Sequence, residues 1–493
     1  MGNYFYDMLL PEERAQLNYI PTVPEFVEWL KVKWADRVAV NDLTVSYTYA
    51  EMASRIARRR AYLNGLGLKK GDKVAIFERN SIDAVEMFLA VTSAGYVAIN
   101  LPSMLPAPAV VGCCMRFDVS VLAIRDEFKE MAAGAPCKVI SSAAMADEEA
   151  PVAVVDRNEP AAIFFTGGTT GAPKGAILPH RALMRGSFNG CYAPGSQLFG
   201  HRVIGFLPLS HVFGLIFGTM SAFYLGSTWF AAEDMKATIG KLPVIKPTKL
   251  VLVPGLCDVL IGLTKMYGPQ FLGGSLKTII TGAAIVPPRI AVEFDKLGID
   301  VYPGYGMTEG ANLTSANTEA KTKPDSVGKI YPEQETKVVD GELWFRGDNT
   351  FLGYYKDPEN TAATLTEDGW VKTGDLVRFD EEGYLYIIGR IKNVIILSNG
   401  ENISPEVIED RYTKYPTVKD CLVTEDNGAI AIEILPMMQA FDGKSWDEIE
   451  AYFHQLVDEV NAKSPSCHQV AKLKVRQEDF KRTGSLKVAR NQG

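Results

Sequence analysis

Two periodicities alternate through the first half of the chain. Residues 51–68, EMASRIARRRAYLNGLGL, repeat apolar positions at helical spacing and close on glycine, which predicts an amphipathic helix. KKGDKVAIFERNS (69–81) then reads as a turn and a buried strand, and SIDAVEMFLAVTSAGYVAINL (81–101) as helix, glycine and strand. Further short apolar runs are PAAIFF (160–165), RVIGFLPLS (202–210), KLVLVPG (249–255), LKTIITGAA (276–284) and IDVYPGYG (299–306). Glycine or proline follows each of them where a loop would open. Helix recurring on parallel strand is the signature of an α/β fold, in which functional groups gather in loops past the carboxyl ends of strands.

The texture changes near residue 325. GELWFRG (341–347), GWVKTGD (369–375) and EEGYLYIIGR (381–390) are short alternating strands separated by turns, suggesting a small β-barrel-like part. After GRIK the chain becomes a charge-rich α+β segment. The expected organisation is a large N-terminal part, 1–389, of layered α/β subdomains, followed by a small mobile α+β domain, 390–493. At 493 residues and 47% hydrophobic content the chain has material for more than one core, since single cores stop growing near about 250–300 residues.

Charge and cysteine content narrow the function. The net charge is -8 with no basic block, which argues against nucleic acid as a partner. Seven cysteines with no CxxC pair read as reduced thiols of a cytoplasmic protein. No apolar run approaches the roughly 18 residues of a membrane span, so no transmembrane segment is expected. The five histidines form no HxxxH or HExxH pattern, which removes a zinc reading. The absence of GxSxG removes an esterase elbow.

The most distinctive stretch is FFTGGTTGAPKGA, 164–176. A Walker loop needs Gly-Lys-Ser/Thr, but here Pro173 precedes Lys174 and Gly175 follows it; a dinucleotide fingerprint needs GxGxxG. Neither spacing is present. Small residues can still let backbone N–H groups and the hydroxyls of Thr166, Thr169 and Thr170 surround an anion, with Lys174 as a point charge.

This stretch resembles the phosphate loop of the adenylate-forming superfamily, which comprises acyl- and aryl-CoA synthetases, adenylation domains and luciferases. The resemblance continues in order through LPLSHVFG (207–214), TGAA (281–284), YGMTE (305–309), GELWFRG, TGDL (373–376), GRIKN (389–393) and KRTGSLKVAR (481–490). GYGMTEGANLTSANT and IILSNGENISPE are most similar to medium- and long-chain fatty acyl-CoA synthetases. The resemblance implies ATP-dependent activation of a carboxylic acid to an acyl-adenylate with release of pyrophosphate, then transfer to coenzyme A. An acyl carrier protein as the thiol, or an aryl acid as the substrate, is the alternative.

The roles that follow are implied by the same resemblance. Thr166, Gly167, Gly168, Thr169, Thr170, Gly171 and Lys174 would cradle the ATP phosphates. Glu309 would hold Mg²⁺ and Thr308 would contact the α-phosphate. Tyr305 and the backbone of Gly282, Ala283 and Ala284 would enclose the adenine, and Asp375 would accept from both ribose hydroxyls. Arg390 would bridge to the nucleotide, Lys392 would be the hinge between two domain orientations, and Lys487 would stabilise the adenylation transition state. His211 would stand at the mouth of an acyl pocket lined by Phe213, 253–255, Ala283 and 302–304. Asn402 would serve the second orientation. The terminal motif departs from the family at Lys481 and Leu486, where proline and glycine are usual, and the loop at 396–401 departs at Ile396 and Leu397.

Overall fold

A computed structural model describes residues 4–166, 174–192, 198–396, 402–481, 488 and 490. Its largest sheet has six strands in the order Lys138–Ser141, Val119–Ile124, Lys73–Phe77, Val97–Leu101, Pro160–Thr166, Lys174–Pro179. The first five run parallel, and the last closes an antiparallel hairpin on Pro160–Thr166. Helix Tyr49–Asn64 starts on a capping box in which Thr48 and Glu51 satisfy each other's backbone N–H groups. It stops at Gly65, short of the 51–68 expected, because Gly67 already sits at φ +77°. Helix Ile82–Ser93 is buried on nearly every side, as its almost unbroken apolar sequence requires.

A second sheet has the order Lys249–Leu252, Thr278–Thr281, Asp300–Met307, Asn312–Ala316, Lys329–Ile330. Its first three strands are parallel and paired without a register slip, Lys249 to Thr278 to Asp300, so their carboxyl ends are brought side by side. A four-stranded sheet joins Ser46–Thr48, Val38–Asn41, Thr228–Phe230 and Arg202–Ile204. Here the sequence expectation overshoots, since RVIGFLPLS is strand only over Arg202–Ile204. The chain then turns at Leu209–Ser210 and enters a π-helix, Phe213–Met220, that the apolar run did not reveal. π-Helical segments concentrate at functional sites.

The texture change near 325 corresponds to an antiparallel meander, Gln334–Val339, Glu342–Gly347, Val371–Phe379 and Leu385–Arg390. Beyond it, strands Val418–Asp426, Ala429–Pro436 and Lys472–Val475 form a three-stranded sheet. Helices Pro405–Thr413 and Trp446–Ala462 contribute Ile408, Tyr412, Phe453 and Leu456 to a core there that shares no residue with the others.

Candidate active site

Leu252 and Thr281 end level with Pro303 and open into Val253 and Gly282–Ala284, while Asp300–Met307 runs on past them, pairing with Asn312–Ala316, before it reaches Thr308–Glu309; the three segments lie beyond the carboxyl ends of neighbouring strands, where such sheets gather functional groups. Their backbones are close enough to dictate composition. A Cβ on Gly282 would stand 2.7 Å from the Gly304 carbonyl oxygen, and one on Gly306 would stand 2.0 Å from that of Asn312. Ala283 is held at φ +65°, a conformation an L-residue keeps only where its surroundings enforce it. Ala284 beyond it is exposed.

Asp375 is the anchor of one half of the site. It lies on Val371–Phe379 opposite Arg390 of Leu385–Arg390 and is buried, at 1% exposure. Arg390 Nε donates to Asp375 Oδ1 at 2.7 Å, and the Tyr305 hydroxyl donates to Oδ2 at 2.5 Å. Burial, reinforced by the adjacent Asp375 charge, holds the Tyr305 phenol well above its ordinary pKa, so it remains a donor. Arg390 and Tyr305 together fix the orientation of this carboxylate.

Glu309 anchors the other half. It is buried at the short turn Thr308–Gly310, where its Oε1 accepts from the Tyr354 hydroxyl at 2.5 Å. Burial raises its pKa above the usual carboxylate value; the Tyr354 hydrogen bond and the charges of Arg390 and Lys174 oppose the shift. Lys174 faces Thr166 where the two strands of the hairpin are joined, donates to Asn360 Oδ1, and lies 5.0 Å from the centroid of the Tyr354 ring. Thr308 is half-buried beside Glu309.

Lys392, in the turn Ile391–Asn393 after the last meander strand, joins this group although its side chain reaches the surface. Partial desolvation and the Arg390 charge lower its pKa, Lys174 adds to that effect, and Asp375 and Glu309 oppose it. Two carboxylates and three cations therefore share one cleft. His211, half-buried, precedes the π-helix; its N–H donates to the Pro208 carbonyl at 3.1 Å and its carbonyl accepts from the Leu215 N–H.

Among the described residues no cluster of three or more His, Cys, Asp and Glu could cage a metal ion. Mg²⁺ is commonly bound by one or two carboxylates, substrate phosphates and water; the single buried carboxylate of Glu309, near Lys174, fits such an ion. Gly167, Gly168, Thr169, Thr170, Gly171 and Lys487 lie outside the described residues, as does the side chain of Asn402. Sequence reasoning missed Tyr354 and Asn360, which orient Glu309 and Lys174. GYYKDPEN (353–360) gave no signal beyond a turn and a helix start, because their partners are 45 and 186 residues away.

Comparison with known proteins agrees with this geometry. Residues 27–355 match the AMP-binding enzyme family and 392–493 match the AMP-binding enzyme C-terminal domain. The chain is 30% identical to 4-coumarate–CoA ligase-like 3 of Oryza sativa subsp. japonica over 80% of its length and 74% of that protein's. It is 26% identical to the long-chain-fatty-acid–CoA ligase FadD15 of Mycobacterium bovis over 78% of its length and 76% of that protein's. In fold it is similar to the anthranilate CoA ligase AuaEII in complex with anthranoyl-AMP, with a TM-score of 0.83, 20% identity and 97% of each chain covered. It is likewise similar to ATP-bound MatB from Rhodopseudomonas palustris, with a TM-score of 0.82, 24% identity and 95% and 97% of the two chains covered. With the family matched over most of its length, this chain belongs to the AMP-binding enzymes of the adenylate-forming superfamily.

Proposed function

We propose that the protein is an AMP-forming acid–CoA ligase whose acid is a medium- or long-chain fatty acid or a hydrophobic acid of similar bulk. The observation that carries the reading is the pairing of the buried Glu309, flanked by Lys174 and Arg390, with the Asp375–Tyr305–Arg390 cluster. One half suits a triphosphate and the other a ribose diol and purine. In the first half-reaction an oxygen of the acid carboxylate attacks the α-phosphorus of ATP, the bond to the β-phosphate bridging oxygen breaks, and pyrophosphate leaves. In the second, the CoA sulfur attacks the acyl carbon, AMP leaves and the thiol proton is released.

The acid is already ionised at neutral pH, so the first step needs charge neutralisation and alignment more than a general base. Lys174 would hold the outgoing phosphates, with Thr166 and the loop at 167–171 around them, and Thr308 would contact the α-phosphate. Glu309 would hold Mg²⁺, which supplies Lewis-acid neutralisation of the phosphate oxygens. Asp375 would bind the ribose hydroxyls, while Tyr305 and the backbone of 282–284 would enclose the adenine. Lys487 would neutralise charge between carboxylate and phosphate.

His211 and the buried apolar face of the π-helix, with Phe213, Leu215 and Phe217, support a hydrophobic acyl site; the fatty-acid and coumarate ligase names of the relatives support the same class. We place the domain division at 389/390, with Lys392 as the hinge about which 390–493 rotates between half-reactions.

The test is acid-dependent pyrophosphate release and thioester formation across an acid series, with CoA present and absent, in the parent and in Lys487→Ala. The variant should lose about 10²- to 10³-fold in adenylation while still converting supplied acyl-adenylate and CoA to thioester. No pyrophosphate from any acid, or equal loss in both half-reactions, refutes the reading or the lysine's role respectively.

A further inference from the structure

Lys249 opens the strand Lys249–Leu252 and is buried, at 6% exposure. Its strand neighbours divide by face. Leu250 and Leu252 enter the core that contains Cys257 and Leu260, whereas Val251 enters the core of the π-helix, where its Cβ faces Gly218. Strand alternation therefore puts Lys249, Val251 and Val253 on one face, toward the π-helix. Val253 borders the cleft at the carboxyl end. Lys249 is four residues back, about 13 Å at roughly 3.3 Å per residue.

Among the described residues no carboxylate answers this ammonium: Nζ makes one hydrogen bond, to the Gly190 carbonyl at 3.4 Å. Burial lowers its pKa to about 8, so at neutral pH the group is mainly charged. A buried cation without a partner is costly and uncommon.

Its surroundings are polar and similarly unanswered. Asn189 closes the helix His180–Asn189, next to the Gly190 that receives Lys249, and neither its amide nitrogen nor its oxygen has a partner. A Cβ on Gly186 would meet the Ala311 carbonyl at 2.3 Å and Ile216 of the π-helix at 3.0 Å, so helix, π-helix and strand converge here. With Arg185 Nε, one turn earlier on the same helix, three buried side-chain polar atoms of this helix lack partners among the described residues. Native interiors leave few such atoms, and an accumulation calls for an occupant.

We infer that this seam receives the far end of the acid and that Lys249 pairs there with a second anionic group. The substrate class is then a dicarboxylic or similarly acidic chain: an apolar body with a distal acid about one strand length from the reacting carboxylate. The inference rests on the acid-activating reading above and narrows it.

The test compares matched straight-chain monoacids, ω-hydroxy acids and α,ω-diacids in pyrophosphate release, for the parent and for Lys249→Met, which keeps length and removes charge. In the parent, kcat/KM should favour the diacid over the monoacid of equal length at least about tenfold, as sites built for a polar group reject analogues that lack it. Lys249→Met should abolish that preference while leaving monoacid turnover within a few fold. A diacid-induced rise in melting temperature, present in the parent and absent in the variant, reads binding without turnover. Monoacids equal to or better than diacids at every length in the parent, or a variant weakened equally toward all acids, would overturn the inference while leaving acid activation intact. Silence with every acid would overturn acid activation itself.

Discussion

Asp375 offers the sharpest quantitative test of the proposed function, in which its carboxylate would bind the ribose hydroxyls. Arg390 donates to Oδ1 at 2.7 Å and to Oδ2 at 3.5 Å, and Tyr305 donates to Oδ2; under the proposed reading the ribose hydroxyls would donate to the same carboxylate. A hydrogen bond to a charged group is worth about 1.5–3 kcal/mol, so deleting one ribose hydroxyl should cost the parent roughly 10- to 100-fold in ATP affinity, at about 1.4 kcal/mol per tenfold. Asp375→Ala should weaken ATP and, because no acceptor remains, bind ATP and 2′-deoxy-ATP within about threefold of each other. The variant also leaves the Tyr305 hydroxyl without its acceptor, a further loss of about 1–3 kcal/mol in stability. Tyr305→Phe is therefore the control: it keeps the carboxylate and should keep the discrimination. The assay is equilibrium binding of the two nucleotides to parent and both variants. Undiminished preference for ATP in Asp375→Ala would mean that another residue reads the sugar.

Two further outcomes follow from the cleft. Burial raises the pKa of Glu309, so the acid limb of kcat/KM for Mg²⁺–ATP should lie above the usual carboxylate range, and Tyr354→Phe should move it higher by removing the donor that favours the ionised form. Because the folded pKa is raised, stability from this site is fully present below the unfolded carboxylate pKa and lost as pH rises through the folded value. Glu309→Gln should therefore melt higher than the parent at neutral pH, with the gap closing on acidification, while pyrophosphate release falls; a variant that melts lower at neutral pH contradicts the sign. Lys392→Pro fixes φ near about -65° and should keep acid-dependent pyrophosphate release but lose thioester formation. Parent rates in both half-reactions, in a variant that folds normally, would place the hinge elsewhere.

The sequence by itself determined the alternation of helix and parallel strand, the meander after 325 and the identity of the nucleotide-contact candidates. Each rests on local information. A strand's apolar run and the glycine after it, as at KLVLVPG, LKTIITGAA and IDVYPGYG, lie within a few residues of one another. The motif residues Thr308, Glu309 and Asp375 are marked by their immediate neighbours in the same way. The overextended RVIGFLPLS strand shows the limit, because an apolar run reports burial and does not separate a strand from a buried irregular segment. Tertiary structure alone decided which residues answer one another. Tyr354 comes to Glu309, Asn360 to Lys174 and Arg390 to Asp375 through register and sheet edges. It also decided that Lys249, which reads as an ordinary charge at a strand start, is buried without a counter-ion among the described residues. Contacts across tens to hundreds of residues leave no periodicity to read, since they arise from which faces the packed layers bring together.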